Sequence, residues 1–470
     1  MGHALSLALL IAITLFIACA APAPAPVTSP APVAPSPSPQ PALSPPVPPT
    51  PRDTSPPPAV TGLVAAEAYN GGTRLNWQQS TAADFDYYNL YVSKTIISNV
   101  TGRSPAYQIK DINSSTYQIT GLENGTTYYF AVTAVDKGGN EDKSVAAIAV
   151  TPLVIPRGTA DPALVVEINQ LEKTWAGTTI LADNHDLTKP RIIEVNMLGE
   201  VVWQYPVPAE LREYTNPGFD VEPLPNGNVL FVLPRNGVYE IDRKGNTVWS
   251  YRDSKVSHDA DRLPSGNTLV VFGAADQMND AQVKEVDPQG KVVWAWYARD
   301  YFNRAPYKNI FEEGWTHTNA ASRLPNGNTL ISPRNFHFVV EVDAKGAVVR
   351  TIGEGMLKYQ HDPEMLANGN ILLADHNNPQ SAMEIDPRTS LVVWQFVVPR
   401  QLVRDANRLP NGNTLITGAT TILEVTADSK VVWQLSLKGL ILDRTEAPGR
   451  GFYKAERIGT QKLAAAKASG

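Results

Sequence analysis

Leu-Pro-Asn-Gly-Asn occupies residues 224–228, and the same box or a one-residue variant recurs at 263–267 (Leu-Pro-Ser-Gly-Asn), 324–328, 366–370 (Leu-Ala-Asn-Gly-Asn) and 409–413. The steps between box leucines are 39, 61, 42 and 43 residues. Each box is followed by an apolar run, then a second run ending in residues like Glu-Val-Asp, a polar or glycine turn, and Val-Val-Trp. The closing tryptophans are Trp203, Trp249, Trp294, Trp394 and Trp433, with Arg350 in the remaining copy. A leading unit lacks the box but keeps Thr179–Asp183, Ile192–Asn196 and Val201–Trp203. Asn-Gly joins two strands as a tight hairpin, so each unit reads as four short strands. Six such units predict a six-bladed β-propeller over residues 157–460, with 451–458 as its closing strand.

The chain before the repeats divides in three. Residues 4–18 form an apolar run of 15, short for a bilayer span and suited to the core of a signal peptide over residues 1–18. Cys19, the single cysteine of 470 residues, follows at once in Phe16-Ile-Ala-Cys19. That excludes an intrachain disulfide framework and a cysteine-based metal cluster. Residues 19–58 form a Pro/Ala-rich linker, with 17 of the 39 prolines between 20 and 58, and such a segment favours extended polyproline II rather than a core. Residues 59–152 carry short β-rich runs (Thr73–Trp77, Tyr88–Val92, Thr116–Ile119, Tyr128–Val135, Val145–Val150) separated by glycine and asparagine turns, predicting a β-sandwich of about seven strands. Residues 461–470 read as a disordered tail. A net charge of −6 lacks the basic excess of a general nucleic-acid binder.

Apart from His3, every histidine lies among the repeats. Five residues before the box leucines stand Phe219, His258, Asn319, His361 and Arg404, and in four units Asp follows (Asp220, Asp259, Asp362, Asp405). In the remaining unit the histidine is displaced to His317. These positions open the innermost strands and predict a polar ring at one mouth of the central channel. Strand alternation puts the following aspartates on the opposite face. Mirror pairing about the Asn-Gly turns sets Arg334 opposite Asn319 and His376 opposite His361, returning both to that mouth. About 20 extra residues, 297–316, rich in Tyr, Phe and Trp, read as a lid or pocket wall. Histidines beside a fixed arginine charge suit an oxyanion better than a transition metal, so no metal and no cofactor are expected. Phosphate and sulfate esters both fit.

Three resemblances sharpen this reading. Phe16-Ile-Ala-Cys19 resembles the lipobox of bacterial lipoproteins, which implies lipidation at Cys19, export and attachment to the outer face of the bacterial cell membrane. Pro58–Leu63, Trp77, Tyr91 and Leu122–Tyr128 resemble a fibronectin type III domain. Trp77 would be its core tryptophan, and Leu122 with Tyr128 its tyrosine corner. Ser257-His258-Asp259, Thr316-His317-Thr-Asn319 with Ser332-Pro-Arg334, and Gln360-His361-Asp362 resemble the bacterial arylsulfate sulfotransferases. That resemblance implies transfer of a sulfuryl group from a phenolic sulfate ester to a phenol acceptor, without a nucleotide donor. It casts His361 as the nucleophile that becomes sulfohistidine, His317 and Arg334 as holders of the sulfuryl oxygens, and His258 as an aid to binding or proton transfer. Asn319, His376 and Arg404 are expected to bind substrate. Two other readings remain open: a non-catalytic surface propeller that binds a sulfated or anionic ligand, and a hydrolase that passes the sulfuryl group to water.

Overall fold

The computed structural model describes residues 53–459 except Pro217, Asn378, Arg400 and 441–448. The apolar leader, Cys19, the linker up to Arg52 and the tail 461–470 lie outside the described residues. No helix among the described residues is long and apolar enough to cross a membrane.

The first described domain holds two antiparallel sheets. One orders strands Val64–Tyr69, Gly72–Asn76 and Thr116–Thr120; the other orders Tyr107–Ile109, Phe85–Ser93, Tyr128–Asp136 and Ile148–Val150. Trp77 packs edge-on to Tyr88 at 5.6 Å in the core. The Tyr128 hydroxyl accepts a hydrogen bond from the Glu123 backbone N–H at 3.0 Å, tying the turn to the strand that follows it.

The remaining strands form, among the described residues, six antiparallel sheets. Their innermost strands are Asp220–Pro223, Ala260–Arg262, Thr318–Arg323, His361–Met365, Val403–Arg408 and Gly451–Gly459. The chain's last strand is innermost in the first sheet, paired with Gly177–Asn184. A second clasp pairs Leu164–Asn169 with the outer strand Val431–Leu437. The two ends of the repeat array are therefore joined by hydrogen bonds, and the sheets form a β-propeller.

The repeated residues show why the units recur. In five sheets the second asparagine of the box donates to a glutamate two strands on: Asn228 to Glu240, Asn267 to Glu285, Asn328 to Glu341, Asn370 to Glu384 and Asn413 to Glu424, at 2.6–2.8 Å. Four of these glutamates also pair with an arginine of the next sheet: Arg262, Arg323, Arg408 and Arg457. The exception explains itself. Met365 stands where the fifth sheet would supply that arginine, and Arg350, in place of the closing tryptophan, pairs with Glu341 at 2.6 Å. Two closing tryptophans reach the next sheet's turn, Trp203 donating to the Arg243 carbonyl and Trp249 to the Pro288 carbonyl. Trp433 donates to the Met197 carbonyl at 3.0 Å, carrying the same contact across the join.

Candidate functional site

At the channel mouth the innermost strands break register, between Thr318 and Ala320, His361 and Glu364, Val403 and Asp405, and Phe452 and Ala455. A bulge sets two residues of one strand against one of its partner and re-aims their side chains. The aspartate level faces the channel, correcting the alternation that put it on the other face; Asp220 does so on a strand that keeps its register. The Lys454 ammonium lies 3.1 Å from Asp362, 3.3 Å from Asp220 and 3.6 Å from Asp259. Tyr453-Lys454 thus completes the ring in the sheet that lacks a box. These residues leave only about 20 Å³ of free space beside His258 and His361, on the order of one water. The channel is plugged beneath the histidines.

Above the plug, four histidines meet. His361 Nδ1 lies 2.8 Å from the Tyr359 carbonyl oxygen, which can only accept. Nδ1 therefore carries the proton, and Nε2 presents its lone pair. The His361 ring stacks on His376 at 4.3 Å and 25°. His376 Nε2 lies 2.7 Å from the Val403 carbonyl, which fixes that ring in turn. The rings of His258 and His317 stack at 5.7 Å and 16°, with Tyr453 5.5 Å beyond His258. The buried Nδ1 atoms of His258 and His317 have no hydrogen-bond partner among the described residues. Orphaned buried nitrogens at a cavity wall are places for a ligand to bind.

Arg334 is half-buried, with its guanidinium over the Tyr359 ring at 4.6 Å and Nη1 3.3 Å from Asn335 Oδ1. Burial, and then the Arg334 charge, push the His258 pKa down to about 4 and that of His317 down to about 3. Burial, the neighbouring His376 and Arg334 hold His361 well below the imidazole range. All three rings are neutral at pH 7.

The pairings predicted from the hairpin turns are corrected by the bulges. Thr318 pairs with Pro333, and Arg334 lies past the strand in the turn Arg334–Phe336. His361 pairs with Ala374, not His376. Both residues still reach the mouth, Arg334 through its turn and His376 by stacking. Asn319 uses Nδ2 on the Gln360 carbonyl at 2.9 Å, while its buried Oδ1 has no partner. Arg404 is buried, held by the Phe452 and Arg450 carbonyls and lying over the Tyr453 ring, and burial lowers its pKa to about 10. Its guanidinium is spent on the protein, which does not suit the substrate contact expected of it. The aromatic insertion is core only in part, with Tyr301 and Phe311 exposed. Phe302 and Trp315 are buried and pack with Tyr307 against Phe336 and Phe338, because a long loop gains more from burying aromatics than from exposing them. Only its end, at Glu313, reaches the site.

Several supporting residues escaped the sequence reading. Asp276 accepts from the backbone N–H of Thr316 and His317 at 3.1–3.2 Å and from the Thr316 hydroxyl at 2.8 Å. It thereby holds His317 in the left-handed region, at φ 46°. Tyr359, also left-handed at φ 50°, joins the two halves of the site. Its carbonyl sets His361, its ring carries Arg334, its N–H donates to His337 Nδ1 at 3.2 Å, and its hydroxyl donates to Glu312 at 2.9 Å. Arg235 lies at the same mouth; Pro234-Arg-Asn236 repeats Pro333-Arg-Asn335, the signal that could have found it. A cavity of about 370 Å³ opens here, lined by Arg235, Glu313, Ala274, Ala275 and the rings of His258 and His317. The described carboxylates close enough together to share an ion, Asp53, Asp84 and Asp136, belong to the sandwich.

Neutral histidines, one with a free lone pair, around an arginine and above a plugged channel make a one-ended anion site on a β-propeller. Comparison with known proteins finds two family matches: residues 165–355, under half of the chain, match the arylsulfotransferase (ASST) family, and residues 56–150 match the fibronectin type III domain. The arylsulfotransferase match ends before His361, His376 and Arg404. Among curated proteins, an amylopullulanase of Thermoanaerobacterium saccharolyticum is 36% identical over 93 residues, 18% of this chain. The matched stretch spans 6% of that protein's length. Among solved structures, a protein of unknown function from Bacteroides caccae shares 19% identity at a TM-score of 0.42, covering 56% of this chain and 95% of that one. BamB from Moraxella catarrhalis shares 10% at 0.32, covering 68% and 85%. These last likenesses concern chain path alone.

Proposed function

We propose that this protein is an arylsulfate sulfotransferase that moves a sulfuryl group between phenols through a sulfohistidine at His361. The observation that carries the reading is the His361 Nδ1 contact to the Tyr359 carbonyl, which leaves Nε2 unprotonated beside Arg334 and two histidines with unpartnered nitrogens.

In the first half-reaction Nε2 attacks sulfur, an N–S bond forms, and the S–O bond to the aryl group breaks. The electron pair leaves with the aryloxide, whose conjugate acid has a pKa of about 10 or below and is a competent leaving group. Arg334 and the flanking imidazoles stabilise charge on the equatorial oxygens. The sulfurylated ring is formally cationic and keeps its Nδ1 proton, and the Tyr359 carbonyl dipole accepts from it. The neighbours that depress the His361 pKa also make the ring a good leaving group. In the second half-reaction a phenol oxygen attacks sulfur, the N–S bond breaks, and the phenolic proton passes by way of His258 to solvent. His361 returns neutral, as ping-pong kinetics require.

The test is transfer of sulfate from 4-nitrophenyl sulfate to phenol by the purified protein. Wild type produces phenyl sulfate and 4-nitrophenol, and His361→Asn produces neither while its thermal unfolding is unchanged. Release of inorganic sulfate in place of phenyl sulfate would identify a hydrolase. Export with a lipid anchor at Cys19 belongs to the same proposal. Cys19→Ser would shift the protein from the membrane fraction to the soluble exported fraction, and unchanged fractionation would refute the anchor.

A further inference from the structure

The cavity lined by His258 and His317 has a wall, carrying Arg235, that the sulfuryl chemistry does not use. Arg235 lies on that wall, half a turn of chain beyond the strand Val229–Leu233. Its backbone is held in a left-handed conformation, φ 63°, by a hydrogen bond from its N–H to the Val256 carbonyl at 2.8 Å. A non-glycine residue in this region carries strain that its surroundings must offset. Val256 is two residues from His258, so the position of Arg235 is coupled to that of the ring. The Arg235 side chain is exposed and forms no ion pair among the described residues. One of its five N–H donors goes to the Asn216 carbonyl at 3.2 Å. The other donors have no hydrogen-bond partner among the described residues.

The rest of the cavity suits an aromatic ring. Ala274, Ala275 and Pro234 give flat apolar contact, and the imidazoles of His258 and His317 close the inner end. A volume of about 370 Å³ falls at the small end of ligand pockets, enough for a one- or two-ring compound. The field at the inner end is positive, because Arg235 and Arg404 add to Arg334 in disfavouring a charged His258. Glu313, the carboxylate on the wall, is exposed at the rim.

We infer that this cavity is the aryl subsite and that Arg235 selects phenols and phenyl sulfates bearing a second anionic group on the ring, such as a carboxylate. The inference rests on the proposed transfer reaction for its kinetic arm and stands without it for its binding arm. Arg235 would form a forked pair with the ring carboxylate while the sulfate ester lies toward Arg334 and His361. No bond to Arg235 is made or broken in the reaction.

The experiment uses the full chain as wild type, Arg235→Gln and Arg235→Lys. Steady-state kinetics compare 4-carboxyphenyl sulfate with 4-nitrophenyl sulfate as donors. Calorimetry compares binding of 4-hydroxybenzoate with that of neutral 4-methylphenol. Arg235→Gln should raise KM for the carboxylated donor by about tenfold or more, with 4-nitrophenyl sulfate changed by less than about twofold. Arg235→Lys should recover part of the loss, keeping the charge without the fork. 4-Hydroxybenzoate should bind wild type more tightly than 4-methylphenol and lose that advantage in Arg235→Gln. Equal losses for both donors would place Arg235 on the sulfuryl group and overturn the inference. So would equal binding of the two phenols by wild type. If no donor is turned over, the transfer reading fails and the calorimetric comparison still decides the subsite.

Discussion

Replacing Arg334 by Gln removes the fixed charge that three histidines share, and its effect on their titration can be worked out in advance. His258 is held at about 4 against an ordinary 6.5, and His317 at about 3. In both, burial is the larger cause and Arg334 the next. The charge therefore accounts for less than half of each depression, on the order of one pKa unit per ring. In Arg334→Gln, His258 should titrate near about 5 and His317 near about 4, both rising because a positive neighbour no longer opposes protonation. A histidine with a depressed folded pKa contributes stability that is fully present above about 6.5 and lost as pH falls through the folded value. For His258 in wild type that amounts to roughly 3 kcal/mol, lost across the window from about 6.5 to about 4. In the variant the raised folded value makes this term smaller, so less stability is lost on acidification through these rings. The assay is carbon–proton NMR of histidine Hε1 signals between pH 2 and 8, assigned with single His→Gln variants. Unchanged or lowered midpoints for both rings would refute the electrostatic account of the site.

Other consequences are as direct. Lys454→Met leaves Asp220, Asp259 and Asp362 buried without their shared cation, and should cost about 3–5 kcal/mol in urea unfolding at pH 7. That deficit should shrink as pH falls and the carboxylates protonate; a pH-independent deficit would contradict the charge argument. Tyr359→Phe loses only the Glu312 hydrogen bond and should lower kcat/KM less than about tenfold, whereas Tyr359→Ala also removes the ring under Arg334 and should lower it further. Equal effects of the two variants would deny the ring its role. Glu424→Gln weakens a fully buried pair with Arg457 and the contacts of Asn413 and the Trp175 N–H, all at the join of the ring. Its unfolding midpoint in urea should fall clearly, and an unchanged midpoint would show that the join does not limit stability.

Much of this was legible in the chain because the repeat is made by side chains that must meet. The box asparagine, the glutamate and the tryptophan recur at fixed spacing since each completes a contact with its own or the next sheet. The histidine register was visible for the same reason. What sequence periodicity could not carry were departures from it. Bulges at Asn319, Asp362, Arg404 and Lys454 broke the ideal strand alternation on which the sequence prediction of facing rested. Tyr359 and Asp276 act through backbone atoms or on a loop, so their residue types gave little signal. Arg404 had the right type and register, yet neighbouring carbonyls consume its donors. The insertion, read as a lid or pocket wall, packs Phe302 and Trp315 into the core and contributes Glu313 to the cavity wall, a division that aromatic content alone does not reveal.

The central claim is that His361 carries the sulfuryl group between donor and acceptor. Mass spectrometry of the protein mixed with 4-nitrophenyl sulfate without an acceptor, quenched and digested under alkaline conditions that preserve phosphoramidate-like bonds, tests it most directly. The account predicts a mass increase of about 80 Da, that of one sulfuryl group, on the peptide containing His361, lost when phenol is added before the quench. An adduct on another residue, or steady turnover with no adduct in rapidly quenched samples, would contradict it.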